Sequence, residues 1–245
     1  MINTLPDRLA FARSQKLDYA EFLELVLSDE AERRQQVSIQ TRLNQAGFEE
    51  ECTLERFDWS AAITLDKARL NELFGLHFIE AKQNVIFAGP VGVGKSFLAC
   101  ALGHSACRSG YRVLFSRADV MLKKLAQSRA DNSFDRQLRE YLTPDVLIID
   151  DFALRRLSGV GSSDLYDLII ERHLRSSTIV TSNRDVTEWG GSSTNRCWRR
   201  AHWIVSVIAP IRSSSKANLT ASGWRQERPA AAVQRKGARP NDLEP

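Results

Sequence analysis

Asn84-Val85-Ile86-Phe87-Ala88-Gly89-Pro90-Val91-Gly92-Val93-Gly94-Lys95-Ser96 is the stretch that decides the fold. A short apolar run ends in G-x-x-x-x-G-K-S, and Phe97, Leu98, Ala101, Leu102 and Ala106 follow at helical spacing up to Gly110. That order is a strand, a phosphate-binding loop and a helix. Gly89, Gly92 and Gly94 let the backbone wrap tightly, so that its N–H groups and the helix N-terminus point at phosphate oxygens. Lys95 is the residue that would reach the β- and γ-phosphates of ATP, and the Ser96 hydroxyl the one that would hold Mg²⁺. Pro90, Val91, Val93 and Phe97 complete the nucleotide-binding set. The competing reading is a glycine-rich turn that binds nothing, and the two flanking elements argue against it.

Downstream, Asp145-Val146-Leu147-Ile148-Ile149-Asp150-Asp151 runs four aliphatic residues into two carboxylates. At the C-terminal edge of a parallel sheet, Asp150 can sit near the Mg²⁺ and Asp151 can polarise the attacking water. Turns also favour Asp, so the pair gains its meaning from the phosphate loop that precedes it. A further strand, Thr178-Ile179-Val180-Thr181-Ser182-Asn183-Arg184, ends in a polar cluster from which Asn183 could bond the lytic water or the γ-phosphate. Arg112–Phe115 reads as another strand. Helices are expected at Asp119–Ser128 (Val120, Leu122 and Leu125 inward), at 130–142 and at Ser163–Leu174. Four βα units with these residues at strand ends predict an α/β fold, a doubly wound parallel sheet.

Residues 1–48 read as a helical domain. Asp18 with Glu21 has the spacing of a capping box, ahead of an apolar face of Tyr19, Phe22, Leu23, Val26 and Leu27. A second helix is expected from about Asp29 to Gln45, with Gly47 as its stop. It carries Arg33, Arg34 and Arg42, which suit either a solvated face or phosphate contacts. Residues 49–75 form a linker in which Phe57, Asp58 and Trp59 pack on the next domain, and a short helix runs from Asp66 to Phe74. The ATPase core is expected over 76–189.

The formal charge of +4 is uneven. Residues 190–245 hold ten Lys/Arg against three Asp/Glu, so the first 189 residues are net acidic by three. A claim of nucleic-acid binding from the overall charge would rest on the tail alone. No apolar run approaches the ~20 residues of a membrane span, and the N-terminus lacks a signal-peptide core. Cys52, Cys100, Cys107 and Cys197 show no C-x-x-C spacing, which fits a reducing cytoplasm.

The loop GPVGVGKS, the strand VLIIDDFA, the strand end IVTSNRDVTEW and the N-terminal YAEFLELVLSDEAERRQ together resemble the IstB-like ATPases. These are the transposition helpers of bacterial insertion sequences, related to the DnaC helicase loaders within the AAA+ class of P-loop NTPases. The resemblance covers about residues 1–189. It implies ATP-dependent assembly of a homo-oligomer on DNA and delivery of target DNA to the element's transposase. By position it implies Lys95 and Ser96 on nucleotide and metal, Asp150 and Asp151 as the acidic pair, and Asn183 as the first sensor. It also implies DNA contact by the N-terminal helices.

After Trp189 the family pattern of an Asp-Arg-Leu finger motif, a strand and a Ser-Tyr-Arg motif is missing. Read out of frame, codons for residues 191–225 can supply both motifs, so the tail is expected to be frameshifted or disordered. Its loss would impair hydrolysis and leave a sheet face uncovered. Arg172 and Arg184 remain as candidates for a contact across a subunit boundary. The alternatives are a helicase loader built on the same core and a non-catalytic nucleotide- or DNA-binding remnant. A small-molecule P-loop kinase fits less well, because nothing resembles an acceptor-substrate lid.

Overall fold

The computed structural model describes residues 5–57, 66–152 and 159–184, together with the backbone of 63–64, 203–207 and 209–210. Expectations for Asp58, Trp59, Trp189, Cys197 and most of the basic tail lie outside the described residues. Strands β2 (Asn84–Ala88), β3 (Val113–Arg117), β4 (Val146–Phe152), β5 (Ser177–Ser182) and β6 (Trp203–Val207) form one parallel sheet in the order β3-β4-β5-β2-β6. A two-residue strand β1 (Ile63–Thr64) pairs antiparallel with β7 (Ala209–Pro210).

Strand alternation separates two cores. Val85, Phe87, Val146, Ile148 and Ile179 face a cluster with α3 (Lys67–Phe74), α4 (His77–Glu80) and α5 (Lys95–Arg108). Ile86, Ala88, Leu147, Ile149 and Val180 face the other, with α6 (Ala118–Ala130), α7 (Phe134–Leu142) and α8 (Gly159–Arg172). A sheet buried on both faces needs apolar residues at consecutive positions, which is why these strands read as continuous aliphatic runs. The doubly wound α/β expectation holds.

Three expectations change. The last strand is present: Trp203–Val207 pairs with β2 from Asn84↔Trp203 to Ala88↔Val207. The run Trp-Ile-Val-Ser-Val has the β-branched content a strand favours, and the Ser/Arg-rich sequence around it concealed this. The segments expected at 18–27 and 29–45 are one helix, α2 (Tyr19–Ala46), because nothing between them breaks a helix. Its start and stop are as expected, with a complete Asp18–Glu21 capping box and Gly47 in the left-handed conformation. On α6, Met121 and Leu125 point inward while Val120 is exposed.

The N-terminal helices divide differently from the expected apolar face. Ala12 of α1 (Leu5–Gln15) and Val26 of α2 are buried, and Arg8 makes a two-pronged bond to Asp29 at 2.6 and 2.7 Å. Tyr19, Leu23 and Leu27 lie exposed. The far end of α2 returns to the sheet domain, where Ala46 and Leu43 join the first core.

Candidate nucleotide site

The loop between β2 and α5 has the backbone its glycines allow. Gly92 and Gly94 have φ of +84° and +83°, conformations that strain other residues, and Gly94 immediately precedes α5. Lys95 opens that helix with its side chain folded back, Nζ donating to the Pro90 carbonyl at 2.7 Å. Burial lowers the Lys95 pKa, while the charges of Asp151 and Asp150 act in the opposite direction. Lys95 therefore lies within electrostatic reach of both acids. Ser96 follows in the first turn of α5, half-buried, and Phe97 packs against the first core.

The strands end together at this edge. Ala88 is paired with Ser182, and the Gly89 N–H donates to the Ser182 carbonyl at 3.2 Å. Between Ile149↔Val180 and Phe152↔Ser182 the register slips, so Asp150 and Asp151 together oppose the single residue Thr181. This bulge matters chemically. In a regular strand, consecutive side chains point to opposite faces. Here Phe152 joins the same core as Ile149, three residues earlier, so the two acids take up one step of the alternation. Asp151 has φ +54°, a left-handed conformation uncommon for an aspartate.

Asp150 is 7% exposed, and its Oδ1 accepts from the Thr181 hydroxyl at 2.5 Å. Asp151 is half-buried, with its N–H donating to the same Thr181 oxygen at 3.0 Å. Burial raises the Asp151 pKa from the ordinary aspartate value and Asp150 raises it further, against Arg117 and Lys95. Asn183 lies one residue beyond β5, half-buried at the same edge. Ser96 and Asp150 offer hydroxyl and carboxylate oxygens, the hard donors Mg²⁺ prefers. Among the described residues only Thr181 donates to Asp150, so a divalent cation fits as the partner that buried charge needs.

Residues 1–196 match the family described as IstB-like ATP binding protein. The chain belongs to this family. A Mycobacterium tuberculosis relative, named as an ATP-binding protein in an insertion sequence, is 41% identical over 80% of this chain and 78% of its own length. A Pseudomonas aeruginosa relative, named as an ATP-binding protein of the insertion sequence IS21, is 33% identical over 94% of this chain and 85% of its own. That second match takes the likeness beyond Trp189, where the sequence pattern alone seemed to stop it. Among solved structures, AMPPCP-bound DnaA from Aquifex aeolicus superposes with TM-score 0.53 at 23% identity, over 63% of this chain and 49% of that one. A structure of DnaI gives TM-score 0.50 at 19% identity, over 63% and 87%. These two share the fold.

The linker of this IstB-like chain runs along α5 as a strap, antiparallel to it. Phe48 stacks on His104 with ring centroids 4.3 Å apart, and its ring stands 2.8 Å from where a Cβ on Gly103 would be. Cys52 contacts Cys100 thiol to thiol, and burial raises both pKa values. Phe57 packs on Phe97 at 5.7 Å, and its ring lies 2.8 Å from the Cβ position of Gly94. Packing of Phe57 on the core was expected; its arrival at the phosphate loop itself was not.

Arg172 does not face a neighbouring subunit. It is 1% exposed and donates to the carbonyls of Tyr141 (2.8 Å), Pro144 (3.0 Å) and Ser177 (2.5 Å), and to Thr178 Oγ1 (3.1 Å). Burial lowers its pKa to about 9. Arg184 is exposed just past Asn183. On α2, Arg33 and Arg34 share Glu30, and Arg42 donates to the Cys107 carbonyl at 2.9 Å, docking the helix on α5.

Proposed function

We propose that this IstB-like chain binds ATP·Mg²⁺ and acts as a DNA-dependent ATPase that helps an insertion-sequence transposase capture and receive target DNA. The observation that carries the reading is the placement of the Asp150–Asp151 pair at the sheet edge where β2 leads into a glycine loop that opens a helix, with Lys95 within electrostatic reach of both acids. ATP binding follows from the family. Its use on DNA, with a transposase as partner and as a homo-oligomer in the cytoplasm, is the part proposed. Among the described residues no helix is long and apolar enough to cross a membrane.

The residues take distinct roles. Backbone N–H groups of Val91–Gly94 and the start of α5 hold the phosphates, with Gly89, Pro90, Val91, Val93 and Phe97 shaping the loop. Lys95 neutralises the β- and γ-oxygens. Ser96 and Asp150 hold Mg²⁺, which when bound neutralises charge building on the phosphates. Asp151 polarises the attacking water, and Asn183 orients it. A raised Asp151 pKa suits a proton acceptor. The same group sets the acid limit, so turnover falls as pH drops through the raised Asp151 pKa, on the higher side of the ordinary aspartate value.

The Asp7-Arg8-Leu9 triplet lies in α1, where Arg8 is bonded to Asp29, and no Asp-Arg-Leu finger motif follows Trp189. In related hydrolases such an arginine contributes about 10³–10⁵ in rate. The chain is therefore expected to bind ATP well and turn it over slowly. DNA contact is best assigned to the second half of α2: no acidic residue occurs from Arg33 to Phe48, whereas residues 5–32 hold seven acids and three bases.

The test is ATP·Mg²⁺ uptake by calorimetry for the parent and Lys95→Ala, followed by turnover with and without duplex DNA. Turnover is compared between this chain and a version with the reading frame restored after residue 189. Lys95→Ala should weaken uptake about 100-fold or more, roughly 2.7 kcal/mol. Undiminished uptake would remove the nucleotide reading. DNA-stimulated turnover only in the restored version supports a finger lost from the tail. Uptake without turnover in both supports the non-catalytic remnant.

A further inference from the structure

One hydroxyl serves both acids of the site. Thr181 is fully buried in β5, opposite the bulge, and its Oγ1 donates to Asp150 Oδ1 while accepting the Asp151 N–H. These are the two needs the bulge creates. An extra residue in a strand leaves a backbone amide outside the regular ladder, and a buried carboxylate requires a donor. Thr181 meets both because a hydroxyl carries one hydrogen and two lone pairs. Asp151 remains in its left-handed conformation only while its surroundings outweigh the strain, and the bond to Thr181 contributes to that.

We propose that Thr181 is a positioning residue for metal-dependent nucleotide binding: its hydroxyl clips the bulge so that the Asp150 and Asp151 carboxylates stand in fixed relation to Lys95. This rests on the ATP·Mg²⁺ reading above. Thr181 is fully buried, so it acts through the two acids. Because Oδ1 of Asp150 is engaged by the Thr181 hydroxyl, the other carboxylate oxygen is the one left for a cation.

The neighbouring hydroxyl supplies an internal control. Ser182 Oγ donates to the Phe152 carbonyl at 2.9 Å and receives the Arg184 N–H at 3.1 Å, so it ties the same strands at the same edge. Both of these bonds are to backbone groups, and a merely structural contribution from a strand-end hydroxyl would appear equally in Ser182→Ala.

The experiment compares the parent, Thr181→Val, Thr181→Ser and Ser182→Ala as full chains, reading fluorescent ATP-analogue binding against Mg²⁺ concentration and again in EDTA. Thr181→Val, nearly isosteric, should raise the half-saturating Mg²⁺ concentration at least fivefold and leave EDTA binding within twofold. Thr181→Ser should stay within twofold of the parent in both. Ser182→Ala should change melting temperature without shifting the Mg²⁺ midpoint. Asp151 amide exchange should accelerate in Thr181→Val alone.

An unchanged Mg²⁺ midpoint in Thr181→Val overturns the proposal, as does a Thr181→Ser variant as defective as Thr181→Val. If Thr181→Val is too unstable to study, the Thr181→Ser and Thr181→Cys pair decides. Cys keeps a weak donor, so its midpoint should fall between those of Ser and the parent on one side and complete loss on the other; a Cys variant equal to the parent overturns the hydroxyl's role. A parent that takes up no ATP with or without Mg²⁺ sinks the nucleotide reading itself, and that outcome is distinct because it does not depend on residue 181.

Discussion

In the sheet, Val85, Ile86 and Phe87 are at most 1% exposed; on the first half of α2, Tyr19, Leu23 and Leu27 are 95%, 56% and 55% exposed. Both segments are apolar by sequence, and both are regular elements. The difference lies in what each has to lean on. Sheet residues are covered on two faces by helices from their own domain, whereas the hairpin of α1 and α2 buries only one narrow seam around Ala12 and Val26. A small two-helix unit cannot bury enough surface to be strongly stable alone. Local devices therefore define it: the Asp18–Glu21 capping box and the bidentate Arg8–Asp29 pair. Two kinds of order coexist in one chain, one cooperative and one local.

Substitutions can break that contrast. The largest effect is expected at Arg172, whose removal as Arg172→Met leaves carbonyls of Tyr141, Pro144 and Ser177 without their donor. Urea unfolding should show a loss of about 3–5 kcal/mol; a loss below about 1 kcal/mol would mean that the sheet domain is not a single cooperative unit. Phe57→Ala comes next. It empties a buried ring site beside Gly94 and should cost about 3 kcal/mol by the same measurement. ATP affinity should fall with it, since the loop loses the ring packed against it.

A smaller, pH-dependent effect is expected at His104. Burial lowers its pKa and Arg108 adds to this, while the Glu50 backbone and Glu51 oppose. The folded state thus favours the neutral ring. Its contribution is complete above the unfolded value near 6.5 and is lost as pH falls through the lower folded value. Thermal melts between about pH 7 and pH 5 should show a decline that is reduced in His104→Phe. A decline of equal size in that variant would assign it to other groups.

The smallest global effect belongs to the hairpin. Asp18→Ala removes a cap contributing about 1 kcal/mol to local helix stability. Amide exchange should quicken over residues 19–25 while the melting temperature of the sheet domain stays unchanged. A matching fall in that melting temperature would show that hairpin and sheet unfold together, against the contrast drawn above.

What could be read from sequence follows the same divide. Strands β2, β4 and β5 announced themselves because burial on both faces demands unbroken aliphatic runs, and Gly89–Ser96 because few other uses exist for that spacing. The bulge was hidden: nothing in Asp150-Asp151-Phe152 distinguishes a regular strand end from one with an extra residue. Thr181 was passed over for the same reason, since its importance comes from a partner strand rather than from neighbours in the chain. Asp29-Glu30 looked like a helix start, whereas the carboxylates are taken by Arg8, Arg33 and Arg34 within one continuous helix. β6 was missed because a five-residue strand among Ser and Arg carries little pattern of its own.

From Ala31 to Ser38 every residue of α2 is exposed, a free span of eight residues and about 12 Å. An α-helix of that length is a stiff strut, braced at its start by the pairs of Glu30 with Arg33 and Arg34. It sets a standoff between the acidic hairpin and the phosphate loop, and its anchored foot continues through Gly47 directly into the strap that ends on Gly94. A body resting on the hairpin is thereby kept at arm's length from bound nucleotide, yet joined to it by a lever with very little slack.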